Sequence, residues 1–170
     1  MKTLVSRCPW QTSVIVSTAI CTILIVAVAG LVVYRAMHAD DMTVKIVYIV
    51  LTCLVLLSTL VSVCISPRKV EVCEKGVRVR LTVGRVDVAS DDIVAVKHYP
   101  HGIGSHRIVG YGKFFGNLGL FNSGCCGKHF ALVTNPDDVC VIVRKTKMPL
   151  AVSVEDAKVF APVCEITEVK

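Results

Sequence analysis

Cys125 and Cys126 are adjacent and lie four and three residues before His129, and the stretch KHYPHGIGSH carries His98, His101 and His106 in a short space. Thiolates and imidazoles are the ligands of zinc sites, and a thiol beside an imidazole is also the raw material of a nucleophile. A zinc site needs several such ligands at recurring spacings, and this chain has no C-x-x-C and no H-x-x-x-H on a helical stretch. No metal is assigned, and Cys125, Cys126 and His129 remain only the nearest approach to a metal or thiol site. Catalysis by Ser or Cys would further require a placed carboxylate and an oxyanion donor pair, and no G-x-S-x-G elbow is present. Asp91 and Asp92 follow Ser90 at the start of an expected strand, where a turn accounts for them. The chain is therefore not expected to be an enzyme, to hold a cofactor or to turn over a small-molecule substrate.

A second group is basic. Arg68, Lys69, Lys75, Arg78, Arg80 and Arg85 follow one another closely. Near an anionic bilayer each such cation contributes about 1 kcal/mol of attraction, so these six residues are candidates for membrane-surface binding. The same residues are equally accounted for by solvated strand faces and by the positive flank that orients a membrane segment. Nucleic acid is not expected as a partner, because acidic residues offset most of the charge and no stacking platform is evident.

The third group is glycine. Gly110, Gly112, Gly116, Gly119, Gly124 and Gly127 invite comparison with phosphate-binding loops, but neither G-x-x-x-x-G-K-[ST] nor G-x-G-x-x-G occurs. Interleaved with Tyr111, Phe114, Phe115, Leu118, Leu120 and Phe121, these glycines read as bends and bulges in strands that pack aromatics.

The elements that carry these groups divide the chain in two. Of its 170 residues 54% are hydrophobic and 19% charged, and the mean hydropathy is +0.66, too apolar for an ordinary soluble domain. Residues 1–67 hold only Lys2, Arg7, Arg35 and Lys45 as cations and Asp40 and Asp41 as anions. No charge interrupts the chain between Arg7 and Arg35 or between Lys45 and Arg68, and each run exceeds the roughly 20 apolar residues that cross a bilayer core. Two transmembrane helices are expected, at about 13–34 and 46–66. A cleaved signal peptide is the alternative for the first, with Ala27, Ala29 and Gly30 as small residues, but a signal core is shorter and is not followed at once by a second span. Lys2 and Arg7 flank the pair on one side and Arg68, Lys69, Lys75, Arg78 and Arg80 on the other. The positive-inside bias therefore puts both termini in the cytoplasm of a multi-pass inner-membrane protein, with the bilayer as its first partner. Neither run contains an ionisable acid or base that would mark an ion path.

From residue 68 to about 162 the pattern is β-rich. GVRVRLTVGRVDVAS alternates Val77, Val79 and Leu81 with Arg78 and Arg80, then Val86 and Val88 with Arg85 and Asp87. A two-residue turn at Val83 and Gly84 would set Leu81 against Val86, Val79 against Val88 and Arg80 against Asp87, leaving one face apolar and one charged. Strands are also expected at 93–99, 128–134, 139–145 and 150–152, with a tight turn at NPDD. A helix over about 154–161, capped by Ser153 with Asp156 at its third position, should close the domain and leave 163–170 as a tail. In a reducing cytoplasm the nine cysteines should be free thiols.

This order of a basic hairpin, DDIVAVKHY, a glycine and aromatic segment ending at Gly127 and Lys128, a turn at Thr134 and Asn135, and LAVSVEDAKVF resembles the bacterial PH-like domain families. Ser153 and Phe160 match the ending that starts the closing helix in those families, while Val154 stands where proline is usual. The resemblance implies a strongly bent seven-stranded barrel or pair of sheets capped at one end by a C-terminal helix, and carries no specific activity. The fold expected is thus a two-helix transmembrane hairpin followed by a mostly-β PH-like barrel. Its expected role is to present a binding or scaffolding surface to a protein partner or a second copy of the chain. Anionic-lipid sensing by the basic hairpin, or a thiol or metal site at Cys125, Cys126 and His129, is the alternative.

Overall fold

The computed structural model describes residues 3–38, 41–112 and 115–169. Strand β1 (Leu4–Arg7) precedes helix α1 (Thr12–Met37), which turns into helix α2 (Met42–Cys64). The start of α2 is set by Asp41, whose carboxylate accepts the Thr43 N–H at 2.8 Å and so satisfies one of the orphan donors of the first turn. Both helices are long and apolar enough to cross a membrane.

The strands that follow build two sheets. The first has the order β1-β2-β3-β4, with β2 Pro67–Cys73, β3 Gly76–Leu81 and β4 Arg85–Ala89. The second runs β11-β5-β9-β10-β8-β7-β6, with β5 Ile93–Tyr99, β6 Ser105–Tyr111, β7 Asn117–Ser123, β8 Gly127–Val133, β9 Val139–Arg144, β10 Leu150–Val152 and β11 Ile166–Glu168. Their inner faces meet in one core, where strand residues such as Val70, Val72, Val79, Leu118 and Ile142 are wholly buried together with Phe160 from the segment after β10. The pair of sheets expected for the domain is present.

Three expectations are corrected. The β3–β4 register is displaced by two residues: Val79 faces Val86, Val77 faces Val88, Arg78 faces Asp87 and Arg80 faces Arg85. The turn is drawn out because its amides serve the end of α2, with Thr82 N–H donating to the Ser66 carbonyl and Val83 N–H to the Cys64 carbonyl, both at 2.9 Å. A shift of two keeps every side chain on its face, so the apolar and charged sides survive. The closing helix is a single 3-10 turn, Ala157–Phe160, capped by Asp156. Ser153 is buried and caps nothing: its hydroxyl donates to the Asn135 carbonyl at 2.9 Å and accepts the Asn135 N–H at 3.0 Å. Pro162, which disfavours helix in the residue before it, stops the turn at once. The glycine segment, expected as bends and bulges in strands, forms strands β6 and β7, whose pairing shifts register between Arg107 and Val109. Gly110 and Gly119 face each other at φ +128°, and a Cβ on Gly119 would lie 2.4 Å from the Val109 carbonyl oxygen. Finally, β1 from before the helices pairs with β2 from after them, Leu4 opposite Val72 to Arg7 opposite Lys69, and β11 from the expected tail pairs with β5.

Candidate functional site

The outward face of the four-stranded sheet gathers four of the six basic candidates, Lys69, Arg78, Arg80 and Arg85, into ion pairs. Glu71 on β2 accepts from Lys69 Nζ at 2.9 Å and from Arg80 Nε on β3 at 2.8 Å. Asp87 on β4 accepts from Arg78 Nε at 2.6 Å and from Arg85 Nε at 3.1 Å. These cations hold both carboxyls below the ordinary range, Lys69 foremost for Glu71 and Arg78 foremost for Asp87. Arg68 donates to the Thr82 hydroxyl at 3.0 Å. Lys75 lines a cleft of about 280 Å³ together with Glu71, Arg78, Asp87, Cys73, Val77 and Val88. The basic hairpin is therefore a chequered face of both signs, with β4 as the outer strand of its sheet.

The thiol and imidazole group sits at the β7–β8 turn. Ser123 Oγ is 2.8 Å from Cys126 Sγ, and Cys126 Sγ is 3.5 Å from His129 Nδ1. That nitrogen also lies 2.9 Å from the Gly127 carbonyl oxygen, which can only accept, so Nδ1 carries a hydrogen and is not free to take a thiol proton. His129 Nε2 points into the fully buried interior without a hydrogen-bond partner. His98 Nε2 pairs with Asp138 Oδ1 at 2.7 Å, while His101 and His106 are exposed, so the three loop imidazoles do not converge on the cysteines. Among the described residues no three His, Cys, Asp or Glu side chains are grouped to hold a metal ion.

A third assembly, where the helices meet the sheets, was not visible as a site in the sequence. The Tyr111 hydroxyl donates to the Ser58 carbonyl at 3.0 Å, and the Phe115 N–H donates to Thr18 Oγ1 at 3.1 Å. The Trp10 ring stands edge-on to Phe115 with centroids 6.1 Å apart. The Thr134 hydroxyl donates to the Pro9 carbonyl at 2.7 Å, and Gln11 N–H to the Thr134 carbonyl at 3.2 Å. The only advance signals were single aromatics, Trp10 near a helix end and Tyr111 and Phe115 among glycines.

A family model described as bacterial PH domain matches residues 68–165, from within β2 to just short of β11. No curated protein and no solved structure matches the chain.

Proposed function

The chain belongs to the bacterial PH domain family, and from that premise we propose that it is a membrane-held binding module: α1 and α2 cross the inner membrane, and the PH domain captures a protein segment at the cytoplasmic face. The observation that carries this reading is the chequered face of the four-stranded sheet. Each carboxylate there is shared between two cations, so the face offers alternating charge with a modest positive excess around a cleft of mixed polarity, which supports recognition of a polypeptide that carries both signs. Strand β4, at the rim, offers a backbone edge that an extended segment can join, with the Arg85 and Asp87 side chains to choose its register. The pairing of β1 with β2 supports both ends of the helical hairpin lying on one side of the membrane, and the Lys and Arg flanks favour the cytoplasmic side. A binding role rather than catalysis is also supported by the imidazole of His129, whose Nδ1 faces a carbonyl instead of serving as a base.

The test is a photo-crosslinking amino acid placed at Arg85 of the full chain in native membranes. A discrete protein adduct, either a second copy or another chain, that disappears when Asp87 is changed to Lys is the expected result. Adducts to phospholipid alone would replace this reading with recognition of anionic lipid by Arg78, Arg80 and Arg85, whose positive charge exceeds that of their two acidic partners.

A further inference from the structure

We propose that the partner of the charged face is a second copy of this chain, joined to the first through β4, edge to edge and antiparallel, with the two-fold axis at Val86. This rests on the reading that the face captures a polypeptide, and it names that polypeptide and its register.

The phase of the β3–β4 ladder fixes what β4 has to offer. Leu81 N–H donates to the Gly84 carbonyl at 3.2 Å, and Ser90 N–H to the Lys75 carbonyl at 3.0 Å. Bonded and non-bonded pairs alternate along an antiparallel ladder, so between these two ends the pairs that exchange bonds are Val79 with Val86 and Val77 with Val88. The N–H and C=O groups of Arg85, Asp87 and Ala89 therefore point away from β3, toward the open side of an outer strand. Such groups are a template for a further strand. The side chains agree: Val88 is buried and Val86 half-buried on the inner face, while Arg85 and Asp87 stand 61% and 49% exposed on the charged one.

Charge selects which strand joins it. Arg85 and Asp87 lie two residues apart, so β4 paired antiparallel with its own copy and centred on Val86 sets each Arg85 directly opposite the Asp87 of the other copy. Both are bonded pairs, with Cα atoms about 5.5 Å apart, where opposite charges on facing strands attract. Arg85 turns to this contact from its own Asp87, 3.1 Å away, and that carboxylate keeps Arg78 at 2.6 Å. Other arrangements lose the match. Centring on Asp87 sets carboxylate against carboxylate, centring on Val88 sets Asp87 against Ala89, and parallel pairing in register sets each charge against its like. A two-fold contact uses the same patch on both copies, and β4 is complementary to itself in this one register. Val83, 63% exposed just before β4, then falls opposite Ala89 of the other copy.

The residue on the axis makes the test direct. Val86 faces itself as a non-bonded pair, whose Cα atoms lie about 4.5 Å apart, a separation that a disulfide spans. The full chain in detergent carries Val86→Cys with Cys125→Ser, which removes an exposed native thiol, and is oxidised mildly beside a control carrying Cys125→Ser alone. A disulfide-linked dimer several-fold above the control is expected. Adding either Arg85→Asp or Asp87→Arg sets like charges opposite each other and should cut the yield several-fold. Mixing those two variants sets acid against base again at both positions and should restore it. A yield indifferent to the charges, or one that mixing fails to restore, overturns the proposal. A photo-crosslinking amino acid at Ala89 of the otherwise native chain, in native membranes, repeats the test with every charge in place. An adduct of two copies joined near Val83 is expected. An adduct to a different protein overturns the second copy and leaves the capture of a polypeptide standing, whereas no protein adduct removes both.

Discussion

The two halves of the chain are built from the same side chains and bury them in opposite ways. In the sheets Val70, Val79 and Ile142 are wholly buried, while in the helices Leu24, Ile49 and Leu57 are each 57% exposed. The helices have only Arg35 and Lys45 for charges, far fewer than the sheets carry, and the periodicity differs as well. Strands such as β3 alternate apolar and polar residues and turn one side inward, whereas the helices are apolar all round and have no polar side to give to water. The buried surface of the helices is small and partly polar, at Val14, Thr18, Ala36 and Ser62, unlike the wholly apolar buried stripe of a soluble helix. The contrast is between sheets completed by one another and helices whose apolar surface is left open and is long enough to cross a membrane.

Replacing a fully buried apolar residue by a carboxylate should break the first half and spare the second. Val79→Asp places an unpaired charge in the middle of β3, and loss of the cooperative thermal transition in detergent is expected, corresponding to at least about 4 kcal/mol. Leu57→Asp, on the exposed surface of α2, should cost about 3 kcal/mol of membrane insertion yet leave the domain's transition in detergent unchanged. Equal damage to the domain from both would dissolve the comparison. A milder pair sharpens it: Phe160→Ala, emptying the largest fully buried side chain, should lower stability by about 3–5 kcal/mol in a denaturant titration, and Leu24→Ala should change it by less than about 0.5 kcal/mol. Thiol reactivity reads the same contrast within the domain. Burial pushes the Cys8 and Cys140 thiols up to about 12, so both should resist maleimide near pH 8 until the chain unfolds, whereas exposed Cys125 should label in the native state.

What the sequence disclosed follows from the range over which each feature is decided. β5 and β10 begin and end where alternation of β-branched residues begins and ends, and β9 differs by a single residue, because each is a local pattern bounded by turn residues. The β3–β4 register was not legible, because its turn is set by the Ser66 and Cys64 carbonyls at the end of α2. β1 and β11, four and three residues long, exist through their partners β2 and β5 across long stretches of chain. The site divides likewise. The basic residues could be picked out by type, but their neutralisation depends on Glu71 in β2, a strand whose apolar positions Val70 and Val72 are too few to announce it. Adjacent numbering suggested the nearness of Cys126 and His129, whereas the bond that turns Nδ1 to the Gly127 carbonyl comes from the turn.

The smallest effect concerns the charged face, where the comparison between the two sides of one sheet can be made by pH. The Glu71 carboxyl is held below the ordinary range in the folded chain by Lys69 and Arg80. A carboxyl with its folded pKa depressed contributes stability above its unfolded pKa and loses that contribution as the pH falls through the folded value. The partners Lys69 and Arg80 are 43% and 50% exposed, so the pairing belongs with surface ion pairs, worth below about 1 kcal/mol. Glu71→Gln should therefore lower the Tm slightly at pH 7, and the gap between variant and native chain should close as both are taken into acid below the ordinary carboxylate range. Raised salt at pH 7 should narrow the same gap, because the ions screen an exposed pair. A gap that persists unchanged in acid would mean that the glutamate acts by packing instead of charge, and no gap at any pH would leave these charges to recognition alone. Either result would separate the outer face of the sheet from its inner face, where Val70 and Val72 on either side of Glu71 are sealed from water.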